Sequence, residues 1–198
     1  DRLGIPLVEI GTAPDITSPE QAQAVAAEIG MILRSTGAVK RGLGSIRQDV
    51  NVSIADGARV EIKGVQQLQE IGAIVEAEVD RQVALLSIRD ELAGREVQVG
   101  SPIDLTELMD GTDARVIGDV LEGGGTVLGV RLGGFGGLLG RELQPERRFG
   151  SELADHARKA GAGGLFHSDE LPAYGISAAE VTALRERVGA QAGDAVAL

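Results

Sequence analysis

Ser45-Ile46-Arg47-Gln48-Asp49-Val50-Asn51-Val52-Ser53-Ile54 carries a polar side chain at every odd position and an apolar one at every even position except Gln48. Backbone pleating sends successive side chains to opposite faces, so a period of two describes a strand buried on one side and wet on the other. A turn at Ala55-Asp56-Gly57 follows, and Arg59-Val60-Glu61-Ile62-Lys63 resumes the alternation. Two strands joined this closely form an antiparallel hairpin whose register depends on the loop. A two-residue turn opposes Val52 to Glu61 and mixes the faces. A three-residue loop, with Gly57 in the left-handed conformation, opposes Val52 to Val60, Asn51 to Glu61, Asp49 to Lys63 and Ser53 to Arg59. The second register keeps the two faces separate and is the one expected.

Helices are expected on either side of the hairpin. Ser18-Pro19-Glu20-Gln21 reads as a helix start, with Ser18 as N-cap, Pro19 in the first turn and Gln21 closing a capping box. Val25, Ala26, Ile29, Ile32 and Leu33 then form an apolar stripe that stops at Gly37. A second helix is expected from about Val65 to Leu92, ended by Gly94. Ahead of both, Ile5-Pro6-Leu7-Val8-Glu9-Ile10 reads as a short apolar strand holding one carboxylate.

Residues 1–93 therefore read as one α+β unit, an antiparallel sheet with two packing helices. Residues 94–198 read as another. There, Arg95–Val99 suggests a strand, and Asp104-Leu105-Thr106-Glu107 the start of a small helix. Val116–Leu121 and Thr126–Leu132 around Gly123-Gly124-Gly125 suggest a hairpin. Ser151 is expected to cap a helix through Lys159, Leu165-Phe166-His167 to form a strand, and Ser177-Ala178-Ala179-Glu180 to open a last helix as a capping box.

Composition narrows the chemistry. The 198 residues carry a net charge of −11, which argues against broad, nonspecific phosphate binding. Aromatic residues make up 2 %, too few for a base-stacking platform. Cysteine is absent, which excludes disulfides, thiol catalysis and thiolate metal sites. No apolar run approaches the length of a membrane span. The chain opens on Asp1-Arg2-Leu3-Gly4, without methionine or the layout of a secretion signal, and reads as a segment of something longer.

The polar hairpin face collects Arg47, Asp49, Asn51, Ser53, Arg59, Glu61 and Lys63. Carboxylates offer oxygen ligands to a hard cation, and Arg and Lys hold phosphate oxygens. A solvated sheet face laced with cross-strand ion pairs shows the same alternation, and the pattern alone favours that plainer account. Glu9, between apolar neighbours, is either a metal ligand at a strand end or a carboxylate satisfied by a nearby Arg or backbone amides. The glycine-rich stretches lack the lysine of a phosphate loop and read as turns. His156 and His167 have no metal-ligand partners at short spacing and read as structural.

Several stretches resemble a known family. Gly4-Ile5-Pro6-Leu7-Val8-Glu9-Ile10, Pro14-Asp15-Ile16, Ser18-Pro19-Glu20, Gly44 to Ser53 and Val60-Glu61-Ile62-Lys63 look like the catalytic cradle of the GatB/GatE amidotransferases. Arg47-Gln48-Asp49-Val50-Asn51 and Lys63-Gly64-Val65 are closer to the archaeal E-type branch than to the bacterial B-type one. In the second half, Val127 to Leu139, Phe149 to Ala154 and Phe166-His167-Ser168-Asp169-Glu170-Leu171-Pro172-Ala173-Tyr174-Gly175 resemble the GAD domain. That module is shared with the insertion of bacterial-type aspartyl-tRNA synthetases.

The resemblance implies a cradle at 1–93 and a GAD domain at 94–198. It also implies a cytoplasmic ligase acting on misacylated Glu-tRNA(Gln) with ATP and magnesium. Ammonia would come from an asparaginase-like partner of the D type. The resemblance assigns Arg47, Asp49, Asn51, Glu61 and Lys63 to catalysis, Glu9, Asp49 and Glu61 to metal, and Arg47 and Lys63 to phosphate. The family's upstream Gly-Leu-Glu-Val-His strand is not in the chain, so the segment alone is expected to be inactive and to bind magnesium–ATP weakly or not at all. The competing readings are a non-catalytic tRNA-interaction or spacer module led by the GAD half, and a fragment of an aspartyl-tRNA synthetase.

Overall fold

The structure, a computed structural model, describes residues 4, 6–40, 42 and 44–198. The chain is mixed α+β with small antiparallel sheets, as expected. It divides into two compact units, Asp1–Val79 and Asp80–Leu198, with the division inside a helix. Among the described residues no helix is long and apolar enough to cross a membrane.

In the first unit, helix α1 spans Pro19–Ser35 and strands β1 and β2 span Gln48–Val52 and Val60–Val65. Ser18 caps α1 by accepting from the Gln21 amide at 3.2 Å. The Gln21 side chain accepts from the amide of Thr17 at 2.8 Å, not from that of Ser18, so the expected capping box is shifted by one residue. Val65 closes β2 and is buried, and helix α2 starts later than expected, at Ile71, and runs to Ala93. Ala22, Val65 and Ile71 form the centre of a small core, with Ala26 of α1, Ile74 and Val75 of α2, and Val50 and Ile62 of the hairpin packed around it. Two helices on one face of a hairpin leave its other face to solvent.

Ile5, the first residue of the strand expected at the start, lies outside the described residues; among the described residues, Pro6 to Ile10 form no strand and pair with none. Leu7 and Val8 are 85 % and 78 % exposed, and Glu9 is exposed as well. Strand-like composition does not make a strand without a partner to satisfy the ladder.

The second unit is built round strand β5, Leu128–Gly133. Strands β3 (Gln98–Val99) and β4 (Ile103–Asp104) pair with it in nearly continuous antiparallel register, and β8 (Ala195–Ala197) pairs antiparallel with its middle. Helix α3 occupies Arg115–Glu122, where the sequence suggests a strand. Its apolar positions 116, 117, 120 and 121 follow helical spacing: Ile117 is buried and Leu121 partly so, while Val116 and Val120 stay exposed. A second hairpin, β6 (Glu142–Gln144) with β7 (Arg147–Arg148), leads into α4 (Phe149–Lys159). Arg148 rather than Ser151 stands at the N-cap of α4. Helix α5, Ala178–Arg187, opens on the expected capping box of Ser177 and Glu180.

The main core of this unit gathers Leu105, Met109, Ile117, Val127, Ile176, Leu184, Val188 and Val196. Burying one such side chain contributes about 2 kcal/mol. A second cluster joins Ile88 of α2 to Leu138 and Leu143. Past Gly133, which closes β5, the glycine-rich stretch to Gly140 is a run of turns, as expected. Gly136 donates to the Gly193 carbonyl at 2.8 Å, and Arg95 reaches the carbonyl of Gly134 at 2.6 Å. Arg81 and Arg147 hold the partly buried Glu152, while Arg147 and Arg158 hold Asp155 and depress its carboxyl to about 2.

Asp194 is a polar anchor without a mark in the sequence. Only 8 % exposed, it accepts from Arg131 Nε at 2.7 Å, from the Gln191 amide at 2.8 Å and from the Gly134 amide at 3.1 Å. Burial alone would raise its carboxyl; the amides of Gln191 and Gly134 and the Arg131 guanidinium outweigh that and hold it below its ordinary value. A carboxyl lowered by folding stabilises the fold above its unfolded value near pH 4, and the contribution is lost as pH falls through the folded value. Asp194→Asn is therefore expected to destabilise the unit by about 2 kcal/mol at pH 7. The gap between variant and wild type should close below about pH 4 in denaturant titrations.

Candidate functional site on the polar hairpin face

Residues 45 to 54 follow the expected alternation throughout: every odd side chain is exposed and every even one is at least partly buried. The ladder pairs Val50 with Ile62, Asn51 with Glu61 and Val52 with Val60, the register expected from the loop. The loop itself differs. Asp56, not Gly57, takes the left-handed conformation, at φ 62°. A short polar side chain tolerates that region because it bonds to its own backbone. Ser53 and Arg59 lie beyond the last paired residues.

Beyond Val50 the register slips by one, so that Gln48 pairs with Val65. Lys63 and Gly64 together stand against Asp49, which makes a β-bulge in place of the simple Asp49–Lys63 pair expected. The bulge lets Val65 turn inward to the core while Glu61 and Lys63 stay on the wet face. Gly64 has φ +73° and donates its amide to Asp49 Oδ1 at 2.9 Å. A Cβ on residue 64 would meet no atom within 4 Å, so only backbone strain opposes a side chain there. Gly64→Ala is expected to cost about 1–2 kcal/mol in urea denaturation.

The exposed face thus holds Asp49, Asn51, Glu61 and Lys63, with Arg47 exposed immediately before β1. Lys63 Nζ lies 3.1 Å from Glu61 Oε2. Glu61, through that ion pair, and then Asp49 and Glu9, through their charge, hold the Lys63 ammonium above the ordinary lysine range against the opposing effect of desolvation. Of the three acidic residues singled out from the sequence, Glu61 is the one in contact with the lysine. Glu9 is exposed, so the desolvation argument that set it apart in the sequence does not apply.

Among the described residues no three His, Asp or Glu side chains are grouped closely enough to hold a metal ion. The donor set still suits magnesium, a hard cation that keeps several waters and takes only one or two protein carboxylates beside substrate phosphates. Asp49, Asn51 and Glu61 offer such oxygens, and Arg47 and Lys63 offer phosphate donors. Of the histidines, His156 is exposed on α4. His167 is buried, bridged to Ala197 and packed near Glu170 at 3.5 Å, in keeping with a structural part.

A family model for the GatB/GatE catalytic domain matches residues 1–172. The chain is 64 % identical over 198 residues to the E-type subunit of the glutamyl-tRNA(Gln) amidotransferase of Haloarcula marismortui, covering all of this chain and 32 % of that protein. It is 60 % identical over 199 residues to the corresponding protein of Archaeoglobus fulgidus, again with full coverage of this chain and 32 % of the relative. The counterpart in Methanothermobacter thermautotrophicus is 56 % identical over 199 residues, with 31 % of its length covered. The chain spans about a third of the length of the curated relatives it matches.

Proposed function

The chain belongs to the GatB/GatE catalytic-domain family, and on that premise we propose that it forms part of a subunit converting Glu-tRNA(Gln) to Gln-tRNA(Gln). The observation that carries this reading is the shared wet face of the hairpin, on which Asp49, Asn51, Glu61 and Lys63 are all exposed and Lys63 Nζ lies 3.1 Å from Glu61 Oε2. The γ-carboxylate of an attached glutamate is a poor electrophile until one oxygen becomes a good leaving group. In the proposed reaction that oxygen attacks the γ-phosphorus of ATP and releases ADP. Ammonia then adds to the acyl carbon, the C–O bond to phosphate breaks, and a proton leaves the nitrogen.

Magnesium, where bound, would screen the nucleotide phosphates from the carboxylates of the site. Asp49 and Glu61, helped by Glu9, are the residues that would hold it. Arg47 and Lys63 bind phosphate oxygens and stabilise charge as it develops. Asp49 or Glu61 takes the proton from nitrogen, and the Asn51 amide orients the reacting carboxyl group.

Ammonia is proposed to come from an asparaginase-like partner protein, and the setting to be the cytoplasm. Residues 94–198 are proposed to correspond to a GAD module. The division of the chain into two compact units supports a separate, non-catalytic part for this half in tRNA contact or spacing.

The test uses a full-length E-type protein carrying Glu9→Gln or Asp49→Asn, supplied with Glu-tRNA(Gln), ATP, magnesium and ammonium. Both variants are expected to lose amidation. Wild-type rates in both would remove the assignment of this face.

A further inference from the structure

We propose that Lys63 is the resident counter-ion of the carboxylate face and must leave Glu61 before a divalent cation can use the same oxygens. The inference rests on the metal–nucleotide reading of the face given above and adds an order of events to it.

The geometry is that of one carboxylate paired with the ammonium and a second held on the strand opposite. Lys63 Nζ is 3.1 Å from Glu61 Oε2. Asp49 is fixed beside the same residue, because the bulge sets Lys63 and Gly64 together against it and the Gly64 amide binds its Oδ1 at 2.9 Å. No three acidic or histidine side chains among the described residues are grouped for a metal instead.

An ammonium and a divalent cation on one carboxylate repel at short range, so occupancy by one disfavours the other. Lys63 can yield. Its side chain is 71 % exposed on a flexible four-carbon stem, and its departure disturbs no ladder bond. Once off Glu61, its donors are available to a phosphate oxygen. Cation arrival thereby converts Lys63 from a carboxylate partner into a phosphate ligand, and makes metal binding and phosphate binding mutually supportive at this face.

The test measures Mn2+ alone, by calorimetry and water-proton relaxation, on a full-length E-type protein in wild-type, Lys63→Met, Lys63→Arg and Glu61→Gln forms. Lys63→Met is expected to bind Mn2+ about five-fold more tightly than wild type, the worth of an exposed ion pair, and ADP in the presence of Mn2+ more weakly. Lys63→Arg should keep wild-type Mn2+ affinity because the competing charge remains. Circular dichroism checks that all four forms are folded.

If wild type and Glu61→Gln differ in Mn2+ affinity while Lys63→Met equals or falls below wild type, the displacement idea is overturned and the metal site stands. If none of the four forms binds Mn2+, the metal reading itself is overturned, and the inference with it.

Discussion

Asp49→Asn in a full-length E-type protein is expected to lower amidation of Glu-tRNA(Gln) by about 100-fold or more, with little change in unfolding midpoint. Asparagine keeps an oxygen at the Oδ1 position, so it can still accept from the Gly64 amide at 2.9 Å and preserve the bulge. Only the negative charge and one charged oxygen are lost. The loss of activity would then report chemistry rather than a disturbed hairpin. The substitution also weakens the field on Lys63, whose ammonium is sustained by Glu61 first and by Asp49 and Glu9 after it. Rates should be measured at saturating ATP and ammonium, so that a loss in turnover is separated from weaker binding. An Asp49→Asn enzyme within about three-fold of wild type, a bound set well inside the expected loss, would place Asp49 outside the reaction.

Gly175→Ala is expected to be the most damaging single methyl group in the second unit. Residue 175 has φ +91°, a conformation L side chains rarely adopt. An added Cβ would stand 2.4 Å from the Asp113 carbonyl oxygen and 2.7 Å from Ala114 Cα. Both are backbone atoms, so no rotamer change relieves the overlap. Ala114 is fully buried, and Ile176, the next residue after the glycine, is 2 % exposed in the same core. Relief would require moving the chain that enters α5 away from the chain that enters α3. Backbone strain and overpacking together should cost about 4 kcal/mol. In a domain of this size that lowers the thermal midpoint by about 15 °C. A change under about 3 °C would show that the two segments separate easily.

The hairpin is legible in the sequence because its evidence is local. Ten consecutive residues, 45 to 54, follow a period of two, and the only exception is Gln48, polar at an apolar position. The register follows from keeping Val50, Val52, Val60 and Ile62 on one side. The bulge, which the simple register overlooks, has a local mark as well: Val65 is apolar at an odd position where Glu61 and Lys63 are polar, with Gly64 between them. That change of parity marks an extra residue. Helix α3 passes for a strand because Gly118 interrupts a short apolar run; only burial of Ile117 identifies the face that counts.

Other features depend on partners distant in the chain. Nothing near Asp194 announces Arg131 or Gly134, so its burial has no local signal. Leu7 and Val8 show the reverse: favourable strand residues remain exposed because no strand among the described residues meets them. The candidate site follows the same division. Asp49, Asn51, Glu61 and Lys63 can be placed on one face from alternation alone. Glu9 lies outside that alternation and is tied to the face in the sequence only by the family resemblance.

The position of β8 bears on how the protein emerges from the ribosome. Its residues Ala195 to Ala197 complete the sheet beside Val130, Arg131 and Leu132, and Leu198 exchanges backbone bonds with Phe166 at 2.7 and 2.9 Å. The second unit therefore waits for these late residues before its central strand is covered, whereas the β1–β2 hairpin needs only neighbouring residues and is ready much sooner. During synthesis the nascent chain carries an open edge on β5 across more than sixty residues of translation, from Leu132 to Ala195, a window in which chaperone protection would matter.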